Sequence, residues 1–564
     1  MNDIDSVLRQ IIFEAVQKVI SDRVNINEIM LERPKREGQG DRSTNIAMKA
    51  AKQLGKNPRL LAYEIVSAIN KSDYIEKIEV AGPGFINFFL TPLWLQHTIE
   101  AILSNPDSFG AQNTGKGKKV QVEFVSANPT GPLHIGHGRG AAVGDTIGNL
   151  LAFAGWKVEK EYYLNDAGLQ MQILGASTQS RYFELLGAAD KAPLPEISYK
   201  GEYIKDIASI IVENEGDRFI SQPLEDSMPF FTDFAVSNIL ADIVSDLREF
   251  GIVFDVWYSE RSLYTRNLVS EAMKYLKEKE LAFEHEGALW FKSPIKSGTE
   301  ESEDTNAEDA DRVLIRSNGA PTYFASDIAY HKNKFDRGFE RLIDVWGADH
   351  HGYVPRMKAA IAALGHSPDS FEVLLIQFVN LLRNGELVPM STRSGQFVTL
   401  REVREEVGND AARWFFLMRN SDSHLDFDLE LAKKQSNENP VYYVQYAHAR
   451  ACSIRRECTE RGLLNDMKTD FNINVLTEIE ERKLIARLAI FPQEVARAAN
   501  ELAPHIMTNY MFELAGDFHA FYNAHRVMCD DSEKSSSRLQ LVEAVRIVLS
   551  RALKLLGVSA PERM

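Results

Sequence analysis

Cysteine is nearly absent from this chain: three in 564 residues, Cys452, Cys458 and Cys529. That excludes a disulfide framework, and without a CxxC pair there is no zinc-knuckle signature. Long apolar runs are missing too, none reaching the roughly 18 residues that a membrane span needs. The opening MNDIDSVLRQ sets acids among its apolar positions, unlike a secretory or transit peptide. Positive charge is in deficit, with 64 Lys and Arg against 80 Asp and Glu, a net of −16. That is the wrong sign for a protein that binds nucleic acid over its whole surface. The deficit is uneven: residues 437–564 carry 16 basic and 17 acidic side chains, so nearly all of it falls on residues 1–436. What remains is ordinary globular composition, 44 % apolar and 10 % aromatic, at a length that suggests about four domains. The expectation is a soluble, cytoplasmic, multidomain protein with no membrane partner.

The first 107 residues read as a small α+β domain. Ile4, Leu8, Ile11, Ala15 and Val19 have helical spacing, and FINFFL after Gly82-Pro83-Gly84 is strand-like. Between them KREGQGDRSTNIAMKAAK is a polar loop running into a helix. A Gly-, Asn- and Lys-rich stretch, 104–119, marks a boundary. Val120, Val122 and Phe124 then alternate with polar residues as in a strand. Val143, Ile147, Leu150, Leu151 and Ala154 share one helix face that Gly155 is placed to end, and a second strand begins near Trp156. This strand–turn–helix–strand unit opens a parallel α/β sheet. We expect that domain over 108–385 with an insertion at about 170–310, a connecting segment over 386–436, and a helical bundle over 437–564. The run Glu300–Asp311, seven acids and no base, reads as a solvated loop.

At the strand-to-helix turn stands Pro132-Leu133-His134-Ile135-Gly136-His137. Two imidazoles at a helix amino end, where free N–H groups and the helix dipole favour anions, suit phosphate. They can donate hydrogen bonds to oxygens whose charge grows during displacement at phosphorus. Gly136 removes a Cβ, so a flat base or sugar can approach. The competing dinucleotide reading, from Gly138-Arg139-Gly140 with Glu159 or Glu161 on the next strand, fails at its third glycine, where Val143 stands.

The string EFVSANPTGPLHIGHGRGA resembles the arginyl branch of the class I aminoacyl-tRNA synthetases, with the HIGH signature at His134–His137. GDRSTNIAMKAAK, YYLNDAGLQ, PTYFASDIAYH, WGADHHG, VPMSTRSG and the final PERM follow the same family in order, so the resemblance spans the chain. It implies a Rossmann-type parallel-sheet catalytic domain with an insertion, an α+β N-terminal domain that touches tRNA, and a C-terminal helical bundle that binds the anticodon. It also implies Mg-ATP as a substrate, L-arginine and tRNA(Arg) as partners, no protein-bound structural metal, and a monomer. By resemblance, Pro132, His134, Gly136, His137, Gly347, Asp349 and Met390 meet ATP. His134, His137, Ser391 and Arg393 serve catalysis. Glu123, Asn128, Tyr323 and Asp327 surround arginine; Tyr323 and Asp327, four apart, share a helix face. Asp327 is the expected guanidinium partner. Tyr446, Arg450, Tyr510 and Met564 are expected against tRNA, where aromatic faces stack bases and arginines meet phosphate.

One signature departs from the family. Most relatives carry KMSK; here Pro389-Met390-Ser391-Thr392 lacks both lysines, and Arg393 follows. Asp349-His350-His351 makes a weak metal site, because neighbours on a strand point to opposite faces. A cysteinyl-type synthetase would need a cysteine zinc site near its catalytic centre, and the three cysteines all lie beyond residue 450. A non-catalytic RNA-binding relative would not need both histidines.

Overall fold

The computed structural model describes residues 4–20, 24–32, 34, 38–293, 312–388, 398–462 and 471–564. Its centre is a five-stranded sheet built from Lys119–Glu123 (β1), Lys157–Leu164 (β2), Val256–Ser259 (β3), Arg341–Gly347 (β4) and Phe371–Ile376 (β5). The order is β5-β4-β1-β2-β3 and every neighbouring pair is parallel. The chain winds outward from β1 through β3, then returns to β4 on the other side of β1. Ligands bind at such a reversal, in the crevice outside the carboxyl ends of the strands. Glu123 ends β1 and Gly347 ends β4.

Between β1 and β2 runs the helix Ile135–Phe153 (α1). Its expected apolar face is buried: Val143, Ile147, Leu150, Leu151 and Ala154 are each 2 % exposed or less. Gly155, with φ of +87°, leaves the helix in the left-handed region that glycine tolerates. Gly144 is where α1 meets β1, since a Cβ there would fall 2.3 Å from the Phe124 ring. Gln121, a polar residue of the alternating pattern, is fully buried. The difference is physical: a central parallel strand is covered on both faces.

The expected insertion at about 170–310 is crossed by β3, an edge strand of the main sheet. Its first part is therefore the helical crossover from β2 to β3, helices Leu169–Leu185, Glu202–Glu215 and Leu224–Glu249. A separate antiparallel sheet, Ala282–His285, Ala288–Phe291 and Arg312–Ile315, follows. It leads into the helix Tyr323–Asp336 (α2). The acidic run Glu300–Asp311 lies outside the described residues.

The N-terminal residues form the expected α+β unit. The helix Ile4–Ile20 buries Ile4, Leu8, Ile12, Ala15 and Val16, so its inward stripe is turned slightly from the one read through Ile11 and Val19. Arg42–Thr44, expected in a loop, is a short strand pairing with Phe85–Leu90. From residue 440 onward the described chain is helical: Pro440–Glu460, Ile479–Ala489, Phe491–Asn500, His505–Ala524 and Ser532–Leu555. No described helix is long and apolar enough to cross a membrane.

Candidate active site

The N-terminus of α1 is capped by the two signature histidines. His134 is the N-cap residue; its Nδ1 accepts from the Gly136 and His137 backbone N–H groups at 3.1 and 3.4 Å. His137 Nδ1 accepts from the His134 N–H at 3.2 Å, completing a reciprocal cap. The rings stack with centroids 3.6 Å apart. Because each Nδ1 accepts, a neutral ring carries its proton on Nε2. Burial favours that neutral state, and His137 is pushed down to about 3 by burial and then by His134. The neutral pair therefore carries Nε2–H groups, not imidazolium charge. Gly136 is needed by the cap itself: a Cβ would lie 3.0 Å from the His134 ring.

The segment that follows the second signature is zipped onto this turn. Ile135 N–H donates to the Val398 carbonyl at 3.2 Å and Leu400 N–H to the Leu133 carbonyl at 2.8 Å. Met390, Ser391 and Arg393 lie outside the described residues. Arg139, fully buried, donates to the carbonyls of Gln377, Asn420 and Ser423 at 2.8–2.9 Å and fastens α1 to the chain beyond β5. As a charged residue in a glycine-rich run it gave no sign of that role.

Beside the cap, an open cleft of about 1670 Å³ includes Glu123, Tyr323, Asp327, Gly347 and Asp349 in its lining. Tyr323 is 63 % exposed, and Asp327 lies one turn further along α2, as its spacing predicts. Tyr353 donates its hydroxyl to Asp327 Oδ2 at 2.5 Å. Pro132, His134, Gly136 and His137 are outside the cleft lining, and so is Asn128, whose amide donates to Gln170. Asp349, His350 and His351 occupy a 3₁₀ turn, Ala348–Tyr353, not a strand. The opposite-faces argument therefore does not apply to them; all three are exposed to the cleft mouth.

The charges under the cleft divide into paired and unpaired. Lys334, fully buried, reaches Glu123 at 2.6 Å and Asp344 at 2.8 Å, and His331 Nε2 lies 3.1 Å from Asp344. Burial opposes the lysine's charge, but the two carboxylates more than offset it and its pKa is raised. Arg337 pairs with Glu161 at 2.5 Å. Asp327 and Glu260 have no ion-pair partner among the described residues. Burial raises both pKa values; Glu260, 3 % exposed, is pushed up to about 7, with Asp327 and Asp166 adding to the effect. Two carboxylates raised this way mark a place that a cation would stabilise. Sequence reasoning missed Glu260 and Lys334. Glu260 follows a four-residue edge strand with no motif around it, and Lys334 looked like one charge of a solvated helix.

On the helical domain, Tyr446 and Arg450 form an open cluster. The Arg450 guanidinium lies between the Tyr446 and Tyr522 rings, 5.1 and 4.9 Å from their centroids, and Tyr442 stacks on Tyr446 at 6.4 Å. Tyr510 is different: 3 % exposed, it donates its hydroxyl to the Arg487 carbonyl and belongs to the core. Met564 is 51 % exposed at the end of a tail tied down by His448 Nδ1 against the Pro561 carbonyl and by Arg456 against that of Glu562.

Known sequences match this arrangement along its length. Residues 98–437 match the family described as "tRNA synthetases class I (R), catalytic domain", and the parallel sheet with its histidine-capped helix defines a class I aminoacyl-tRNA synthetase. Residues 6–90 match "Arginyl tRNA synthetase N terminal domain" and 444–564 match "DALR anticodon binding domain". The chain belongs to the arginyl-tRNA synthetase family. An arginine–tRNA ligase from Syntrophotalea carbinolica is 52 % identical over 562 residues, 99 % of each chain. One from Halalkalibacterium halodurans is 49 % identical over the whole of both. The solved arginyl-tRNA synthetase of Thermus thermophilus shares the fold, with a TM-score of 0.76 over all of both chains at 24 % identity.

Proposed function

We propose that this chain joins L-arginine to tRNA(Arg) in two steps within this cleft. In the first, the arginine carboxylate attacks the α-phosphorus of Mg-ATP and pyrophosphate leaves, giving an arginyl-adenylate. In the second, a hydroxyl of the 3′-terminal ribose attacks the activated carbonyl and AMP leaves. Neither step needs a protein nucleophile. Positioning and charge stabilisation carry the catalysis. The Nε2–H groups of His134 and His137 donate to ATP, while Gly347 and Asp349 take the adenosine side. Asp327 and Glu260 hold the guanidinium, with Tyr323 and Tyr353 beside it, and Tyr446 and Arg450 meet the anticodon.

The observation that carries this reading is Asp327, a buried carboxylate in the cleft lining with no ion-pair partner among the described residues, and buried Glu260, outside the lining but close enough to feel its charge. Glu123 serves arginine only in part, because Lys334 already takes one of its oxygens. The same reading treats Mg-ATP as substrate and the enzyme as a cytoplasmic monomer. ATP–pyrophosphate exchange with each amino acid, with and without tRNA, tests it. Exchange stimulated by arginine alone is expected, and exchange with another amino acid would overturn the proposal.

A further inference from the structure

The chain between β1 and α1 forms no regular strand or helix over residues 124–133, yet it joins Glu123 to His134. The place of such a segment is set by the groups that take its backbone. Some of its bonds are internal: the Ser126 N–H donates to the Phe124 carbonyl at 3.0 Å and the Thr130 N–H to that of Asn128 at 2.7 Å. Three of its carbonyls are held from outside. Tyr162, fully buried on β2, donates its hydroxyl to Ala127 at 2.8 Å. Tyr203 donates to Thr130 at 2.6 Å, and the Leu400 N–H to Leu133 at 2.8 Å. Only Gly131 and Pro132 lie between the last two anchors. The turn that carries His134 is therefore fixed by Tyr203 on one side and by the chain after the second signature on the other.

Tyr203 stands in the first turn of the crossover helix Glu202–Glu215, which is seated by Ile204, Ile207, Ala208 and Ile211. Two glycines give it room: a Cβ on Gly201 would fall 2.2 Å from its ring, and one on Gly131 3.1 Å from its hydroxyl. The approach to the helix is pinned as well. The Tyr199 N–H donates to Ser177 Oγ, on the helix Leu169–Leu185, at 3.0 Å, and the Tyr199 side chain meets that of Thr130. Burial, and then Tyr199, push the Tyr203 hydroxyl above its ordinary pKa, so it keeps the proton that it donates. Tyr203 is outside the cleft lining; what it holds is the loop.

We propose that Tyr203 is a positioning residue for the first step: its bond to the Thr130 carbonyl fixes the turn that carries His134 and His137, so that the crossover from β2 to β3 sets where their Nε2–H groups meet ATP. This rests on the reading of the two histidines as donors to ATP. A preorganised donor stabilises developing charge only while it is held in place, and a shift well under the length of a bond already weakens it. Arginine is held from elsewhere, by Asp327 on α2 and by Glu260 beyond β3. Loosening the loop therefore acts on the rate of adenylate formation and not on the binding of the amino acid.

The test needs a matched control, and the same crossover supplies one. Tyr182, on the helix Leu169–Leu185, also donates its hydroxyl to a backbone carbonyl at 2.6 Å, but that of Gly216, away from the loop. Tyr203→Phe, Tyr182→Phe, Gly131→Ala and His134→Asn are compared with wild type in ATP–pyrophosphate exchange with tRNA(Arg) present, and each is melted. Tyr203→Phe should lower kcat about tenfold, short of the hundredfold that a misplacement of about 1 Å can cost, with the arginine KM unchanged. Gly131→Ala, which presses on the same bond from the loop side, should show the same split between kcat and KM. Tyr182→Phe should melt as far below wild type as Tyr203→Phe does and keep the wild-type kcat. A Tyr203→Phe enzyme that turns over as wild type, or a Tyr182→Phe enzyme that slows as much, would overturn the proposal and leave Tyr203 an ordinary part of the fold. Failure of the underlying reading shows separately, as a His134→Asn enzyme with the wild-type rate.

Discussion

At the scale of single residues, the pocket's specificity is a matter of which carboxylates are left over. Lys334 pairs with both Glu123 and Asp344, so on the proposed reading the carboxylates left to a substrate cation are Asp327 and, buried near it, Glu260. Asp327→Asn keeps the shape and removes the charge, and should raise the arginine KM on the order of a hundredfold, the scale of losing one buried charge partner. The ATP KM should stay near wild type, and steady-state kinetics checks both. Glu260 makes arginine binding pH-dependent. With its pKa pushed up to about 7 in the folded chain, arginine affinity should rise with pH up to about 7 and then level off, and Glu260→Gln should flatten the curve in calorimetric titrations. Stability runs the other way. The raised pKa means the folded state holds a proton that the unfolded chain has lost, so Glu260's contribution falls as pH rises from 4.5 to about 7, by roughly 3 kcal/mol. The empty Glu260→Gln enzyme should therefore melt higher than wild type at pH 8. The shared helix face of Tyr323 and Asp327 was legible in their spacing, while their expected place around arginine came from the family resemblance. Glu260 was not legible, since what makes it unusual is burial without an ion-pair partner among the described residues, a property of the folded state.

At the scale of elements, α1 joins a structural and a chemical role in the same side chain. His134 caps the helix through Nδ1, and in the proposed reaction its Nε2–H donates to ATP. Asn is an equally good cap, because its oxygen can accept the same N–H groups. His134→Asn should therefore keep the thermal midpoint within about two degrees while lowering kcat on the order of a hundredfold, as for removal of one preorganised donor. A melting curve and a single-turnover assay on the same sample separate the two roles. A fall in stability as large as the fall in rate would show that capping is all His134 does. Since burial keeps both rings neutral, the kcat–pH profile should also lack an acid limb near 6.5 from either histidine. Helices with a clear stripe, such as α1 and the C-terminal set, were readable, as was β1. The four-residue β3 and the 3₁₀ turn after β4 were not: each is too short to show a period, and each is fixed by the strand it joins.

At the scale of the whole molecule, the net charge of −16 does not exclude RNA, because the acidity belongs mostly to residues 1–436 and the proposed contact is confined to patches such as Tyr446–Arg450. The catalytic and helical domains are joined by a buried polar junction at the far side of α1. Asp145 on α1 takes Lys160 at 2.6 Å and Arg413 at 2.5 Å. Arg413 also donates to the Leu556 carbonyl at 2.8 Å, and Asn149 to that of Leu555 at 3.2 Å, satisfying carbonyls at the end of the helix Ser532–Leu555. Gly557, with φ of +67°, passes so close that a Cβ would fall 2.4 Å from the guanidinium. The last helix of the anticodon domain thus ends on the same helix that begins at the signature histidines. Arg413→Leu leaves the Leu556 carbonyl unmet and Asp145 half-paired; loss of one member of a buried pair costs about 3–5 kcal/mol. The variant should melt several degrees below wild type. Replacing both charges, Arg413→Leu with Asp145→Asn, should recover part of that loss, since the buried carboxylate goes with its partner. Equal melting of the single and double variants would mean that the carbonyl contacts, not the ion pair, hold the two domains together.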